Sequence, residues 1–266
     1  MLDTDPLTSD RILAAVKAGE SLRQQDLYQF DLQGLDLHQA SFAEATLVRA
    51  NLQYTRLTKA DLSGADLRAA NLRQANLSGA NLKGACLYRA NLHGTNLDQA
   101  ELADVQLRGA HYNHQTIFPE GFRYTSSGAI GPGANLNGAA LNTANLRYAD
   151  LQGANLLGAY LGGADLTGAD LRGARLVQAD LRRAIMTGII LRGARINNAN
   201  LSGADLRAAD LTGVEFDELE GIAGADFTLA QGLSQELRSR LLGQPADQLD
   251  EMHPITRKTT RESLNP

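Results

Sequence analysis

The side chains best suited to chemistry in this chain are five histidines and one cysteine. His111 and His114 form an H-x-x-H pair, close enough in sequence to share a metal ion. No carboxylate stands at a spacing that would complete such a site. We therefore interpret both histidines as surface loop residues and predict no metal.

The glycine-rich stretch GAIGPGANL, residues 128–136, raises the hypothesis of a phosphate-binding loop. It lacks the lysine that such loops use, so turn formation is the better interpretation. Cys86 would need neighbouring positive charge to be reactive. Arg68 and Arg89 are the candidates for that charge. The simpler explanation is that Cys86 is a neutral replacement of the usual Asn or Asp. No nucleophile–base pair stands out, so we predict a protein that is not an enzyme and has no cofactor.

These residues are positioned by a repeat of five residues. From Ala60 to Leu92 a leucine falls at every fifth position, and an alanine stands two residues before each. Five residues turn an α-helix by about 140°, so the leucines would not share a face. In a straight strand, an odd step would move each leucine to the opposite face. The pattern is satisfied if the chain turns a corner after each leucine, so that four units close a square coil.

Composition and charge narrow the class of protein. The chain lacks tryptophan and has 5% aromatic residues, so its core must be built from leucine and alanine. One cysteine excludes an internal disulfide, and no apolar run reaches the ~20 residues of a membrane span. The first residues do not resemble a secretory signal, and a cytoplasmic location is expected. Residues 22–216 hold 18 Lys+Arg and 17 Asp+Glu, hence +1; the total charge of −5 leaves −6 for the flanks.

The units ADLSG, ANLRQ, ADLTG and ADLRG resemble the consensus A(D/N)LXX of the pentapeptide-repeat family. The pattern covers residues 22–112 and 136–216, which is 19 and 17 units at one per five residues. The resemblance implies an all-β fold, a right-handed quadrilateral β-helix with short capping helices at both ends. It also implies a functional precedent, since some members mimic duplex DNA and bind type II topoisomerases.

Breaks in the pattern indicate the organisation of the chain. Helix-capping residues stand near both ends of the repeat, and proline and glycine between the two blocks indicate turns. Ile117 and Phe122 keep the five-residue phase, so a protruding loop and an irregular coil are both open alternatives there. We predict an N-terminal capping helix over 1–21, a first block over 22–112, an interruption over 113–135, a second block over 136–216, a C-terminal cap with a helix over 217–243 and a disordered tail over 244–266.

Candidate binding residues follow from the square coil, because outward side chains that are one full coil apart should stack on one face. We select a ridge on the first block, the aromatic residues of the interruption and apolar residues that face outward from the second block. The alternative interpretation of the ridge is that its side chains only stack on one another on a solvated face. The alternative for the apolar residues is neutral sequence drift in a tolerant scaffold. The selected residues are Tyr28, Arg68, Tyr88 and Arg108; Phe118, Phe122 and Tyr124; and Leu157, Tyr160, Val177, Ile185 and Ile190.

These features favour a non-enzymatic scaffold that acts by protein–protein binding, with a regulatory role included in that expectation. Its partner is a protein of unknown identity, and a homodimer through a terminal cap is a further expectation. The alternative is a DNA mimic that binds and inhibits gyrase, a role that requires an acidic repeat. The nearly neutral repeat disfavours that role, and it also disfavours nucleic acid as a partner.

Overall fold

The computed structural model describes residues 8–265 of a chain that divides into two compact units, Met1–Ile130 and Gly131–Pro266. Each unit is a right-handed quadrilateral β-helix, so the predicted fold class is confirmed. Residues 1–7 and 266, which belong to the predicted first and last segments, lie outside the described residues. Within residues 8–265, none of the helices has the length and apolar character needed to cross a membrane.

Each pentapeptide forms one short edge and one corner. At Leu62, the N–H of Ala65 donates to the Leu62 carbonyl at 3.0 Å and closes a four-residue turn. The third residue of this turn, Gly64, has a φ of +65°, as in a type II turn. Gln74 takes the same left-handed conformation, with a φ of 60°, although this conformation costs a residue with a Cβ roughly 1–2 kcal/mol. The repeat therefore imposes the corner even where glycine is absent.

The Asn or Asp before each leucine supports the corner from outside. Asn81 Oδ1 accepts a hydrogen bond from the N–H of Lys83 at 3.1 Å. Asn71 and Asn91 accept the equivalent bond from the residue two positions on. Short amide and carboxylate side chains favour this local geometry. The consensus residue is therefore explained by the turn it stabilises.

Successive coils stack in parallel with a register of four pentapeptides. Asp61 bridges to Asn81, and the N–H of Leu62 donates to the Asn81 carbonyl at 2.8 Å. Leu62 and Leu82 consequently lie one above the other, and both are fully buried. Each such leucine contributes about 1.5–3 kcal/mol of burial, and the small alanines let leucines from the four sides meet. The core is thus built from repeated small contributions.

A helix covers the start of the first unit. Helix α1, Ser9–Lys17, begins after Thr8, whose hydroxyl accepts a hydrogen bond from the N–H of Arg11. Ile12 is fully buried, and Ser9 Oγ donates to the Asp31 carbonyl of the first coil at 2.7 Å. The helix thereby satisfies part of the open edge that a repeat leaves at its end.

The interruption is an irregular coil of the first unit from which one segment departs. Asn96 bridges to Ile117, one position beyond the regular register, and His111 bridges to Ile130, one position short of it. Between these bridges the chain leaves the repeat and includes a 3-10 helix, Tyr124–Ser126. The two alternatives that the sequence left open are therefore both partly realised.

One extra residue before Ile117 changes the phase of the repeat. The widened corner is held by Thr116, whose hydroxyl accepts from the N–H of Asn113 at 3.1 Å and donates to the Leu92 carbonyl at 2.7 Å. Ile117 consequently faces outward and is exposed, while Phe118 is half-buried. The inward phase predicted for Ile117 is wrong, because the insertion falls just before it.

Three helices follow the last coil of the second unit: α2, Gln235–Leu242; α3, Ala246–Leu249; and α4, Thr260–Leu264. The disorder predicted over 244–266 is wrong for residues 244–265. Leu249 and Leu264 are buried, and Met252 pairs with Thr259 in an antiparallel bridge. The polar composition of this segment reflects its short helices and turns.

The C-terminal helices satisfy the free backbone edge of the last coil. The N–H of Ile222 donates to Gln248 Oε1 at 3.0 Å, and its carbonyl accepts from Thr260 Oγ1 at 2.9 Å. The N–H of Phe227 donates to Ser263 Oγ at 3.1 Å. Buried backbone groups need such partners, so residues 244–265 complete the fold.

Candidate binding surfaces

The ridge predicted on the first unit exists as one column, which we call the Tyr/Arg column: Tyr28, Val48, Arg68, Tyr88 and Arg108. Each member follows the inward leucine of its coil. Backbone hydrogen bonds of 2.8–3.3 Å run from the residue after each member to the carbonyl of the next member above. The side chains therefore stand on successive rungs, with Tyr28 50% exposed and Tyr88 36% exposed.

Two different interactions hold the arginines of this surface. Arg68 turns back onto Asp66 of its own rung, with Nε and Nη2 at 2.8 and 2.6 Å from the carboxylate oxygens. Hydrogen bonds from Arg68 hold the pKa of Asp66 below its ordinary value despite partial burial. Arg89, at the adjoining corner, places its guanidinium carbon 5.0 Å from the centre of the Tyr88 ring. The cation–π contact thus comes from the corner residue, and the column presents tyrosine faces beside paired charge.

The aromatic residues of the interruption pack mainly on one another. Phe118 stacks on Tyr124 at 4.5 Å between ring centres and on Phe122 at 5.9 Å. Tyr112, which is buried, meets Phe118 and Tyr124 edge-to-face at 5.5 Å in both cases. Such pairs add about 0.5–1.5 kcal/mol beyond their burial, so this cluster anchors the departing segment to the coil. Its three outer members are half-buried.

The apolar candidates of the second unit fall on different faces. Leu157 and Val177 stack one coil apart, since the N–H of Gly158 donates to the Val177 carbonyl at 2.8 Å, and both are half-buried. Tyr160 starts the next face and is exposed. Leu157 and Val177 therefore form one pair, with Tyr160 around the corner from it.

Ile185 and Ile190 each stand between aspartates of the coils below and above. Ile185 bridges to Asp165 and Asp205, and Ile190 bridges to Asp170 and Asp210. Because Asp205 also bridges to Asp226, and Asp170 to Asp150, an aspartate at either position would place four carboxylates in one column at strand spacing, about 4.8 Å. Each isoleucine therefore separates like charges, which is a structural explanation that the sequence interpretation had missed.

Replacement of Ile185 tests this explanation. The free energy of unfolding of Ile185→Asp should be about 1 kcal/mol lower than that of Ile185→Asn, because like charges directly opposite each other on neighbouring strands repel. Denaturant titration measures both values. The comparison controls for the loss of the isoleucine side chain, since both substitutions remove it. Equal stability of the two variants at neutral pH and low salt would contradict the explanation.

Aspartate and arginine in the order D-L-R neutralise each other on one rung. Asp170 and Asp180 receive paired hydrogen bonds from Arg172 and Arg182, at 2.6–2.9 Å. Asp205 is buried and is held in the same way by Arg207. Burial would raise the pKa of Asp205, but hydrogen bonds from Arg207 and Thr187 outweigh it and lower that pKa. Many repeat carboxylates are thus compensated locally, a feature visible in the sequence as the spacing of two residues.

The histidines of the interruption do not assemble a metal site. His111 lies over Asn91 and beneath Ile130, while His114 is exposed. Burial lowers the pKa of His111 to about 4, with a further contribution from His93, whose ring centre is 6.5 Å away. Among residues 8–265 no cluster of three His, Cys, Asp or Glu side chains has the geometry to hold a metal ion. Cys86 is a free, half-buried thiol.

Two exposed aromatic side chains were missed by the sequence interpretation. Tyr54 and Tyr148 occupy left-handed corner positions, with φ of 58° and 54°. The guanidinium carbon of Arg147 lies 5.5 Å from the Tyr148 ring centre, an arrangement like that of Arg89 and Tyr88. An Arg-Tyr or Tyr-Arg pair that follows the inward leucine could have identified Tyr148, whereas Tyr54 has no such neighbour.

Comparison with protein families identifies the same repeat in the sequence. A family model described as pentapeptide repeats matches eight copies, over residues 21–53, 45–84, 85–111, 133–159, 149–188 and 189–218. No curated protein matches the chain.

Among solved structures, the chain is 28% identical to HetL of the cyanobacterium Nostoc sp. strain PCC 7120, a protein involved in heterocyst differentiation regulation. This match covers 85% of this chain and 94% of HetL, with a TM-score of 0.39. The chain is 18% identical to QnrB1, a plasmid-mediated fluoroquinolone resistance protein. This match covers 80% of this chain and 97% of QnrB1, with a TM-score of 0.38. The chain is 37% identical to Rfr23 of the cyanobacterium Cyanothece 51142, over 36% of this chain and 61% of Rfr23, with a TM-score of 0.24.

Proposed function

The chain belongs to the pentapeptide-repeat family, and from that premise we propose that it is a non-catalytic scaffold that binds another protein through the Tyr/Arg column of its first unit. The observation that carries this proposal is the exposure of Tyr28 and Tyr88 on one continuous face, with Arg89 stacked on the Tyr88 ring. Tyrosine and arginine are enriched among the residues that dominate binding energy at interfaces. The rigid backbone of the repeat presents them at fixed spacing, which lowers the entropic cost of binding.

The alternative, a DNA mimic that inhibits gyrase, requires columns of uncompensated acidic charge. The D-L-R pairs work against that requirement, because each places a guanidinium on its own carboxylate. A supercoiling assay with purified gyrase separates the two functions. Inhibition or protection of gyrase at stoichiometric concentrations would favour the alternative over the scaffold.

Capture from native lysate tests the Tyr/Arg column directly. The double variant Tyr28→Ser, Tyr88→Ser should recover at least about tenfold less of the partner that the parent recovers, as expected for two interface anchors. Tyr54→Ser is the matched control, because Tyr54 is 56% exposed but stands on a different face. Equal recovery by the double variant and the control would remove the column from the proposal.

The proposal includes a cytoplasmic location and leaves the homodimer through a terminal cap as a prediction. Light scattering of the purified chain measures its mass in solution and so tests the homodimer. A mass of one chain across the concentration range would exclude a stable homodimer.

A further inference from the structure

The strongest unexplained feature outside the first unit is a cleft between helix α2 and the last coil of the second unit. It has a volume of about 430 Å³, within the ~300–1,000 Å³ range typical of ligand pockets. Its apolar wall is formed by Leu211, Val214, Phe216 and Leu237. Val214 and Leu237 are only half-buried, so an apolar surface is left accessible beside the end of the core.

The segment that borders the cleft contains an insertion in the repeat. Arg195 bridges to Glu215 at the regular interval, but Asn200 bridges to Gly221, one position beyond it. The extra residue falls in the segment 216–220, which stays bonded to the coil beneath, since the N–H of Asn198 donates to the Glu218 carbonyl at 2.7 Å. Asn197 fixes this segment, since its Oδ1 accepts from the N–H of Asp217 at 2.8 Å. These contacts fix the position of this edge of the cleft.

The rim of the cleft is acidic. Its lining contains three carboxylates, Glu215, Asp217 and Glu236, and one guanidinium, Arg240. Arg195 pairs with Glu215 at 2.9 Å, so the net charge of this group is −1. Arg240 is already engaged, by the Phe216 carbonyl at 3.1 Å and by Glu236 at 3.0 Å. The side chain of Asp217 is 91% exposed and lies 4.0 Å from Arg240. Glu218, exposed on the same segment, adds to the negative potential.

We propose that this cleft binds a basic segment of a partner protein, with one apolar side chain held by Val214 and Leu237 and flanking lysine or arginine facing Asp217 and Glu236. An apolar wall supplies affinity through burial, and an acidic rim selects basic sequences and accelerates association. This inference rests on the proposed scaffold function and adds a second contact point on the other unit. The bound segment must combine an apolar side chain with basic neighbours, because it has to match both the apolar wall and the acidic rim.

Fluorescence anisotropy with the full chain tests the cleft. The probe is a fluorescein-labelled peptide that carries one leucine between two pairs of lysines in a glycine–serine background. Two control peptides replace the leucine by serine or the lysines by glutamate. We expect saturable binding of the probe, at least about tenfold weaker binding of both control peptides, and weakening of probe binding by added salt.

Variants locate the binding. Asp217→Lys should weaken the probe at least about tenfold, whereas Asp104→Lys, an equal charge change at an exposed position of the first unit, should weaken it less than about twofold. Amide shifts in a heteronuclear NMR spectrum should concentrate at Val214, Asp217 and Leu237. Absence of binding, or equal weakening by the two lysine variants, would overturn the proposal. Retained partner capture through the Tyr/Arg column in that case would leave the scaffold function intact.

Discussion

Removal of residues 244–266 is expected to lower the free energy of unfolding of the second unit by about 5 kcal/mol. The deletion exposes the apolar surface covered by Leu249 and Leu264, and burial of each of these leucines contributes ~2–3 kcal/mol. It also removes the partners of the Ile222 and Phe227 backbone groups, which then form an open edge. Chemical denaturation followed by far-UV circular dichroism measures the loss, and light scattering detects the edge-to-edge association that a free edge promotes.

Point variants separate capping from simple truncation. Leu264→Ala should cost about 2–5 kcal/mol, the range for a leucine removed from a packed core. Ile255→Ser, in the same segment, should change stability by less than about 0.5 kcal/mol because Ile255 is exposed. A truncated chain that unfolds at the denaturant concentration of the full chain, without association, would contradict a capping role for this segment.

The repeat could be predicted from the sequence because its signal is local and recurs. Any one pentapeptide, such as the one centred on Leu62, contains the inward Ala and Leu, the Asn or Asp that supports the corner, and the corner itself. The same constraint is sampled many times, so single exceptions do not obscure it. Even a non-glycine corner such as Gln74 follows the pattern, because the neighbouring coils impose its backbone.

The part of the C-terminal cap over residues 244–265 could not be predicted in the same way. Its contacts join Thr260 and Ser263 to backbone groups far earlier in the chain, at Ile222 and Ala225. Helices α3 and α4 have four and five residues, too short to carry a clear amphipathic period. Sequence composition therefore indicated disorder where tertiary contacts produce order.

The candidate surfaces were predicted to different degrees for a similar reason. Stacking of one coil on the next places Tyr28 and Tyr88 correctly, because that register follows from the repeat alone. The partner of Arg68 was not predicted, since the choice between a ring and Asp66 depends on side-chain conformation. The cleft at α2 was not predicted, because it depends on how that helix packs against the last coil, and the repeat contains no signal for this packing.

His111 gives the second large expected effect, which is a loss of stability of the first unit on mild acidification. The pKa of this imidazole is lowered from 6.5 to about 4 by burial and by His93. The unfolded chain therefore binds a proton at a higher pH than the folded chain does. Stability present above pH 6.5 falls as the pH drops towards 4 and then levels off, with a total loss of about 3 kcal/mol for this group. About 2 kcal/mol of it is expected between pH 7 and pH 5.

Replacement of His111 by the residue of the coils beneath it tests this expectation. Asn occupies the equivalent positions 51, 71 and 91, so His111→Asn fits the column while removing the titrating group. Between pH 7 and pH 5 the free energy of unfolding of the parent should fall by about 2 kcal/mol more than that of the variant. Carboxylates contribute little to the pH dependence in this range, because their ordinary pKa values lie near 4. His114→Asn, at an exposed position of the same corner, should keep the pH dependence of the parent. If His111→Asn and the parent show parallel stability curves from pH 7 to pH 5, burial of a neutral imidazole beneath Ile130 does not govern the acid sensitivity of this unit.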